Sequence, residues 1–169
     1  MNSLPDAARN TVHALKCELA GEVLRSSGKL RIQVTGWSML PSVWPGDTLL
    51  IDRISGEHVA EGDIVLFSRN RRLFAHRVVG KNSGAQNIQI ITKGDGMPRP
   101  DAPVTGGELL GKVSSILRRG KSIEPRTSLG FPERAVAALV QRSSSAARLV
   151  VGVHEMRPTQ QKQVAPCQS

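Results

Sequence analysis

Between Lys29 and Ser122 the chain passes through six short β-type segments with no helical segment between any two of them. "LRIQVT" alternates apolar and polar residues, and "DTLLIDRI" is an apolar run bounded by Gly46-Asp47. "GDIVLFS" and "RLFAHRVVG" flank Arg69-Asn70-Arg71, which reads as a polar hairpin tip. "NIQIITKG" and "LLGKVSSIL" follow, separated by a Pro/Gly-rich loop. Parallel neighbours need long crossovers, whereas short loops join antiparallel ones, so a mainly β, mostly antiparallel, curled sheet is expected. Aromatic residues are only 3% of the chain and Tyr is absent, so Val, Ile and Leu must build the core, which suits strands.

Helices are expected at both ends. Leu15, Leu19 and Val23 recur at i+4 beside Val12, which predicts a helix over residues 5–27, ended by Ser26-Ser27-Gly28. Pro132 costs no needed N–H at a helix start, and Ala135, Val136, Leu139 and Val140 give a short apolar face after it. The expected organisation is an N-terminal helix (1–28), a β-domain (29–122), a basic helical segment (123–156) and a disordered tail (157–169).

The net charge is +9, and residues 118–169 hold nine Lys/Arg against three acids. Such a segment suits peripheral contact with an anionic membrane. Nucleic acid is not the expected partner, because only Phe131 is available to stack bases within that segment. Cys17 and Cys167 lie near opposite ends without metal-ligand spacing, and read as two free thiols. No apolar run approaches the ~20 residues of a membrane span, and the N-terminus lacks a signal pattern, so a cytoplasmic or peripheral location is expected.

The chemistry centres on "VTGWSMLPSVWPGDTLLIDR", residues 34–53. Ser38 sits on a sharp bend after Gly36, whose missing Cβ lets a substrate backbone approach, and Pro41 and Pro45 stiffen the exit. A serine acts as a nucleophile only when a base takes its proton and donors hold the developing oxyanion. The candidate bases are His13, His58, His76 and His154, and only His76 lies inside a β-type segment. A third group should orient the imidazole. "ITKGDGMPRPD" offers Asp95 and Asp101, six residues apart.

Taken together, "GWSMLPSVWPGD", "GDIVLF", "AHRVVG", "TKGD" with a later Asp, and "LLGKV" resemble, in order and spacing, the signal peptidase I superfamily, which includes the self-cleaving SOS repressors. The resemblance runs from about Gly36 to Val113. It implies a coiled, mostly antiparallel β-domain that cleaves peptides without metal or other cofactor. Ser38 matches the nucleophile and Met39 its neighbour. His76 falls where bacterial members carry a lysine base, and resembles the His of the archaeal and endoplasmic-reticulum branch. Asp101 matches the acid that follows "KGD" in that branch, and Asp95 matches the "KGD" acid itself; Asp101 is the first choice for orienting His76. Gly36 stands where many signal peptidases have a Ser whose hydroxyl helps bind the oxyanion, so the oxyanion hole would rest on backbone N–H groups. The resemblance also implies a peptide or protein substrate held as an added strand, with "LRIQVT" as its edge and Trp37 and Met39 lining the groove. Two other readings stay open: self-cleavage at Ala20-Gly21, the dipeptide that SOS repressors cut, and a non-catalytic basic binding module.

Overall fold

A computed structural model describes residues 6–83 and 88–142. Expectations for residues 143–169, including the tail, His154 and Cys167, lie outside the described residues. Helix α1 spans Asp6–Ser27. It stops where the sequence says: Gly28 takes a left-handed φ of 71°, and its N–H returns to the Leu24 carbonyl at 3.1 Å. Only a residue without Cβ adopts that conformation at little cost, and the returning bond satisfies an otherwise orphaned helix carbonyl.

Eight strands follow: β1 (Lys29–Gln33), β2 (Thr48–Asp52), β3 (Ile64–Arg69), β4 (Arg72–Ser83), β5 (Ile88–Lys93), β6 (Val104–Thr105), β7 (Leu109–Arg118) and β8 (Lys121–Ile123). Helix α2 spans Phe131–Arg142. The strands form one sheet in the order β1-β2-β7-β3-β4-β5-β6, with β8 beside β7, and every pairing is antiparallel. Register shifts at Leu50/Ile51, Leu66/Phe67 and Val78/Gly80 mark irregularities of the β-bulge kind. Each bends its strand and tightens the twist, which is how a sheet of short strands coils instead of lying flat. The hairpin tip is narrower than the sequence suggests. Arg69 and Arg72 pair, and the turn is Asn70-Arg71, with φ of 51° and 59°. Two successive positive φ values give a turn whose twist matches that of the strands.

Both faces of β3 are buried. Ile64 and Leu66 join Leu24, Met39, Leu49 and Ile51 in one cluster; Val65 and Phe67 join Val59, Val78, Ile90 and Val104 in the other. This is the period of two with apolar residues on both sides, and it explains the unbroken run "IVLF". A third, smaller patch sets Val136 and Val140 of α2 on Leu40 and Trp44.

The stripe that marks α1 as a helix is not the face it buries. Leu15 and Leu19 are exposed, at 62% and 61%, whereas Ala20, Gly21 and Leu24 face the sheet. Small residues allow the close approach, and Leu24 supplies the apolar volume. The structure therefore makes a sharp prediction. Leu24→Ala should lower the unfolding free energy by about 2–5 kcal/mol, the range for a buried leucine truncated in a packed core. Leu19→Ala should change it by no more than about 0.5 kcal/mol. Urea denaturation of the two variants side by side checks this, and equal losses would mean that the outer stripe is also covered.

Candidate active site

Ser38 lies in the connection between β1 and β2. The hairpin continues past β1, with Val34 and Asp47 bonded at 2.8 Å and Gly46 donating to the Val34 carbonyl at 2.8 Å. The intervening loop is tied from inside. The Arg118 guanidinium grips the buried Asp47 carboxylate at 2.7 Å and donates to the Ser42 carbonyl at 2.9 Å. Asp47 in turn accepts the Trp44 N–H at 2.8 Å. Met39 and Leu40 are buried, Ser38 is half-buried, and Trp37 is 38% exposed. The sequence reading of Met39 as a groove-lining residue is therefore corrected: its side chain is 3% exposed and packs in the α1-side core, where it anchors the bend. Gly36 and Trp37 remain at the surface beside Ser38. A Cβ added at Gly36 would meet no protein atom within 4 Å, so that position opens outward.

His76 is held by β4, opposite Val65 of β3. Its ring lies 5.9 Å from both Phe67 and Phe74, which fix the plane of an imidazole that is only 4% exposed. Nε2 stands 2.9 Å from Ser38 Oγ, and Nδ1 stands 2.7 Å from Asp101 Oδ2. The Thr92 hydroxyl donates to the same carboxylate oxygen at 2.7 Å, and the Asp101 N–H donates to the Thr92 carbonyl at 2.8 Å. Burial pushes the Asp101 carboxyl up. The hydrogen bonds from His76 and Thr92, with the nearby Arg69 cation, outweigh that and hold it below its ordinary value. An ionised carboxylate only accepts, so Nδ1 carries the imidazole proton. The Nε2 lone pair then faces Ser38, whose hydroxyl donates to it.

Asp95 is placed differently. Its carboxylate receives Nε and Nη2 of Arg77, each at 2.8 Å, and the Ser42 hydroxyl at 2.5 Å. The Arg77 guanidinium also donates to the carbonyls of Gly62 and Arg126. The structure thus brings Ser38, His76 and Asp101 into one line and gives Asp95 to Arg77. The sequence left the two acids open as partners of His76. Neighbours in a strand point to opposite faces, so the acid that meets Arg77 is not the one that meets His76.

Four contributors escaped the sequence reading. Arg77 and Thr92 flank the line of bonds, and Gly94 and Gly96 close on it. The Gly96 N–H donates to the Ser38 carbonyl at 2.8 Å. A Cβ at Gly94 would stand 2.6 Å from that carbonyl and 3.2 Å from His76 Nε2. The doubled glycine in "KGDG" was the available signal, since closely spaced glycines mark close backbone approach. Of the other described histidines, His13 lies on α1 and His58 bonds Ser55 Oγ at 2.8 Å. Among the described residues no group of three or more His, Cys, Asp or Glu is disposed to hold a metal, and no helix is long and apolar enough to cross a membrane.

Residues 6–103 match the peptidase S24-like family, a span that takes in Ser38, His76, Asp95 and Asp101. The chain belongs to the peptidase S24-like family. No curated protein matches it. The coiled antiparallel β-domain agrees with this membership, and the match covers α1 as well as most of the sheet.

The acid-sensitive part of this region is the Arg69–Glu108 pair beside the Asp101 loop, 2.7 Å between Nε and Oε1. Hydrogen bonding to Arg69, which outweighs burial, holds the Glu108 carboxyl down at about 2, from an ordinary 4.5. A depressed carboxyl stabilises the fold above its unfolded value and loses that contribution as pH falls toward its folded value. Asp101 acts in the same direction. Stability should therefore fall as pH drops from about 4.5 toward about 2, and Glu108→Gln should flatten that fall. Chemical denaturation at several acidic pH values measures it; identical curves for wild type and variant would remove the pair as a source.

Proposed function

We propose that this member of the family is a serine endopeptidase of the signal-peptidase type, working through a Ser-His-Asp site on a precursor or leader peptide. The observation that carries the reading is the continuous line from Asp101 through His76 to Ser38, with both links at hydrogen-bond length. Ser38 Oγ attacks the scissile carbonyl as its proton passes to His76 Nε2, and the carbonyl π electrons move onto oxygen. Collapse of the tetrahedral species expels the amine, which takes the proton from Nε2; water then hydrolyses the acyl-serine ester by the same proton path. Asp101 holds the tautomer and stabilises the imidazolium. The oxyanion is held by backbone N–H groups, notably that of Ser38, since Gly36 offers no hydroxyl.

Substrate binds as a strand on the open edge of β1, which among the described strands pairs with β2 alone. Small residues before the cut suit this arrangement, with Trp37 and Gly36 flanking the nucleophile at the surface. Self-cleavage at Ala20-Gly21 is disfavoured because that bond lies inside α1 with both residues buried, while a protease needs an extended strand. The basic C-terminal segment is proposed to touch an anionic membrane, and flotation with anionic against neutral vesicles tests that.

The decisive experiment presents peptides with Ala-x-Ala and Ala-Gly sites to wild type and to Ser38→Ala, with products read by mass spectrometry. Wild type should cleave and Ser38→Ala should not, with unchanged circular dichroism. Asp101→Asn should lower kcat by at least about 100-fold, because the imidazole loses its fixed tautomer. Cleavage that survives Ser38→Ala would overturn the assignment.

A further inference from the structure

We propose that Arg69 is a positioning residue for this site: its guanidinium fixes where the Asp101 carboxylate sits, and through it the orientation of the His76 imidazole. The inference rests on the Ser-His-Asp reading and adds a residue that neither the motif pattern nor that reading includes.

The Asp101 loop is tied on its near side by the two bonds to Thr92. Pro98, Arg99 and Pro100 before it are exposed, and Ala102 and Pro103 after it are exposed. What holds the far side is Arg69, the last residue of β3. Its Nη1 donates to the Ala102 carbonyl at 2.8 Å and its Nη2 to the Pro103 carbonyl at 2.8 Å, the two residues that directly follow Asp101. Nε and Nη2 fork onto Glu108 at 2.7 and 2.9 Å. Glu108 in turn accepts the Thr105 N–H at 3.0 Å and the Thr105 hydroxyl at 3.1 Å. One planar cation therefore staples residues 102, 103 and 108, and closes the loop from Asp101 to the start of β7.

A second route runs through the rings. The Arg69 guanidinium lies 5.5 Å above Phe67, and Phe67 meets His76 edge-on at 5.9 Å. Arg69 thus bears on the imidazole from its carboxylate partner and from its packing partner. The titratable groups around Asp101 are His76 from β4 and Arg69 from β3, with Glu108 behind Arg69; Thr92 from β5 adds a neutral hydroxyl donor. Removing Arg69 takes away the cation that favours the Asp101 carboxylate and frees the loop in one step. A lysine keeps the charge but lacks the planar fork that reaches both carbonyls and Glu108 together.

The test uses Arg69→Gln, Arg69→Lys and Glu108→Gln, with Ser38→Ala and Asp101→Asn as references. Arg69→Gln should lower kcat by roughly 10- to 100-fold, the usual cost of losing a residue that orients a catalytic group, with KM nearly unchanged because the β1 edge is untouched. Arg69→Lys should recover part of the loss. A purely structural role would lower the active fraction without weakening the His76 Nδ1–H signal of the folded protein. Independently of turnover, ¹⁵N-histidine NMR should show a low-field, slowly exchanging Nδ1–H for His76 that is lost in Asp101→Asn and weakened in Arg69→Gln. If Arg69→Gln does not fold, the lysine and Glu108 variants carry the same readouts. A wild-type Nδ1–H signal retained in the Arg69 variants overturns the proposal. Absence of Ser38-dependent cleavage in wild type instead overturns the peptidase reading, and the NMR signature still decides the positioning claim.

Discussion

The buried pair of Arg77 and Asp95 is the contact on which the arrangement of the site depends. Both side chains are almost wholly removed from water. Desolvating two charges costs several kcal/mol per ion unless further hydrogen bonds complete them. Here they are completed: Arg77 also donates to Ser42 and to the carbonyls of Gly62 and Arg126, and Asp95 also accepts from Ser42. Five pieces of chain therefore meet at one ion pair: β4, the "KGDG" turn, the loop after Ser38, the turn before β3 and the segment leading to α2. Such a pair contributes less to net stability than to uniqueness, because any slip of one segment leaves a buried charge short of a partner. That requirement bears directly on the site. Arg77 is the strand neighbour of His76, Asp95 lies between the two glycines that close on Ser38, and Ser42 is four residues beyond Ser38.

Helix α2 supports the same junction from outside. Gln141 donates to the Asp95 carbonyl at 3.1 Å, and Val140 covers Leu40 where a Cβ on Gly96 would stand 3.1 Å from it. A helix that looks like an appendage in the sequence is thus part of the wall behind Ser38. Its exposed large apolar residues, Phe131 and Leu139, take no part in that contact.

Much of this was legible in the chain itself. Alternation and turn residues marked the long strands, and Gly28 marked the end of α1, since these are local properties. The short β6 and β8 were not visible, because two or three residues carry no periodicity and are defined by what they pair with. The buried face of α1 was hidden for another reason. Leu15 and Leu19 make the stronger pattern, but sheet packing selects the small residues Ala20 and Gly21 that let the backbone come close. Met39 was misread in a similar way: next to a reactive serine, an apolar side chain suggests a groove, yet the bend needs a buried anchor on its inner side. Arg69 was absorbed into a polar hairpin tip because its partners, residues 102, 103 and 108, lie more than thirty positions away in sequence.

The choice between Asp95 and Asp101 shows how strand geometry assigns chemistry. His76 and Arg77 are consecutive in β4, so their side chains leave opposite faces of the sheet. The chain after β5 has to supply one acid to each face, and it does so in six residues. Gly94 and Gly96 let the first part turn tightly against the Ser38 carbonyl and deliver Asp95 to the arginine. Met97 to Pro100 then carry the chain round the edge of β5, where Thr92 catches Asp101 through both its carbonyl and its hydroxyl. An acid placed between these two points would face neither partner. The spacing of "KGD" to the later Asp is thus the distance around one strand edge, and the dipeptide His-Arg is what makes two acids necessary.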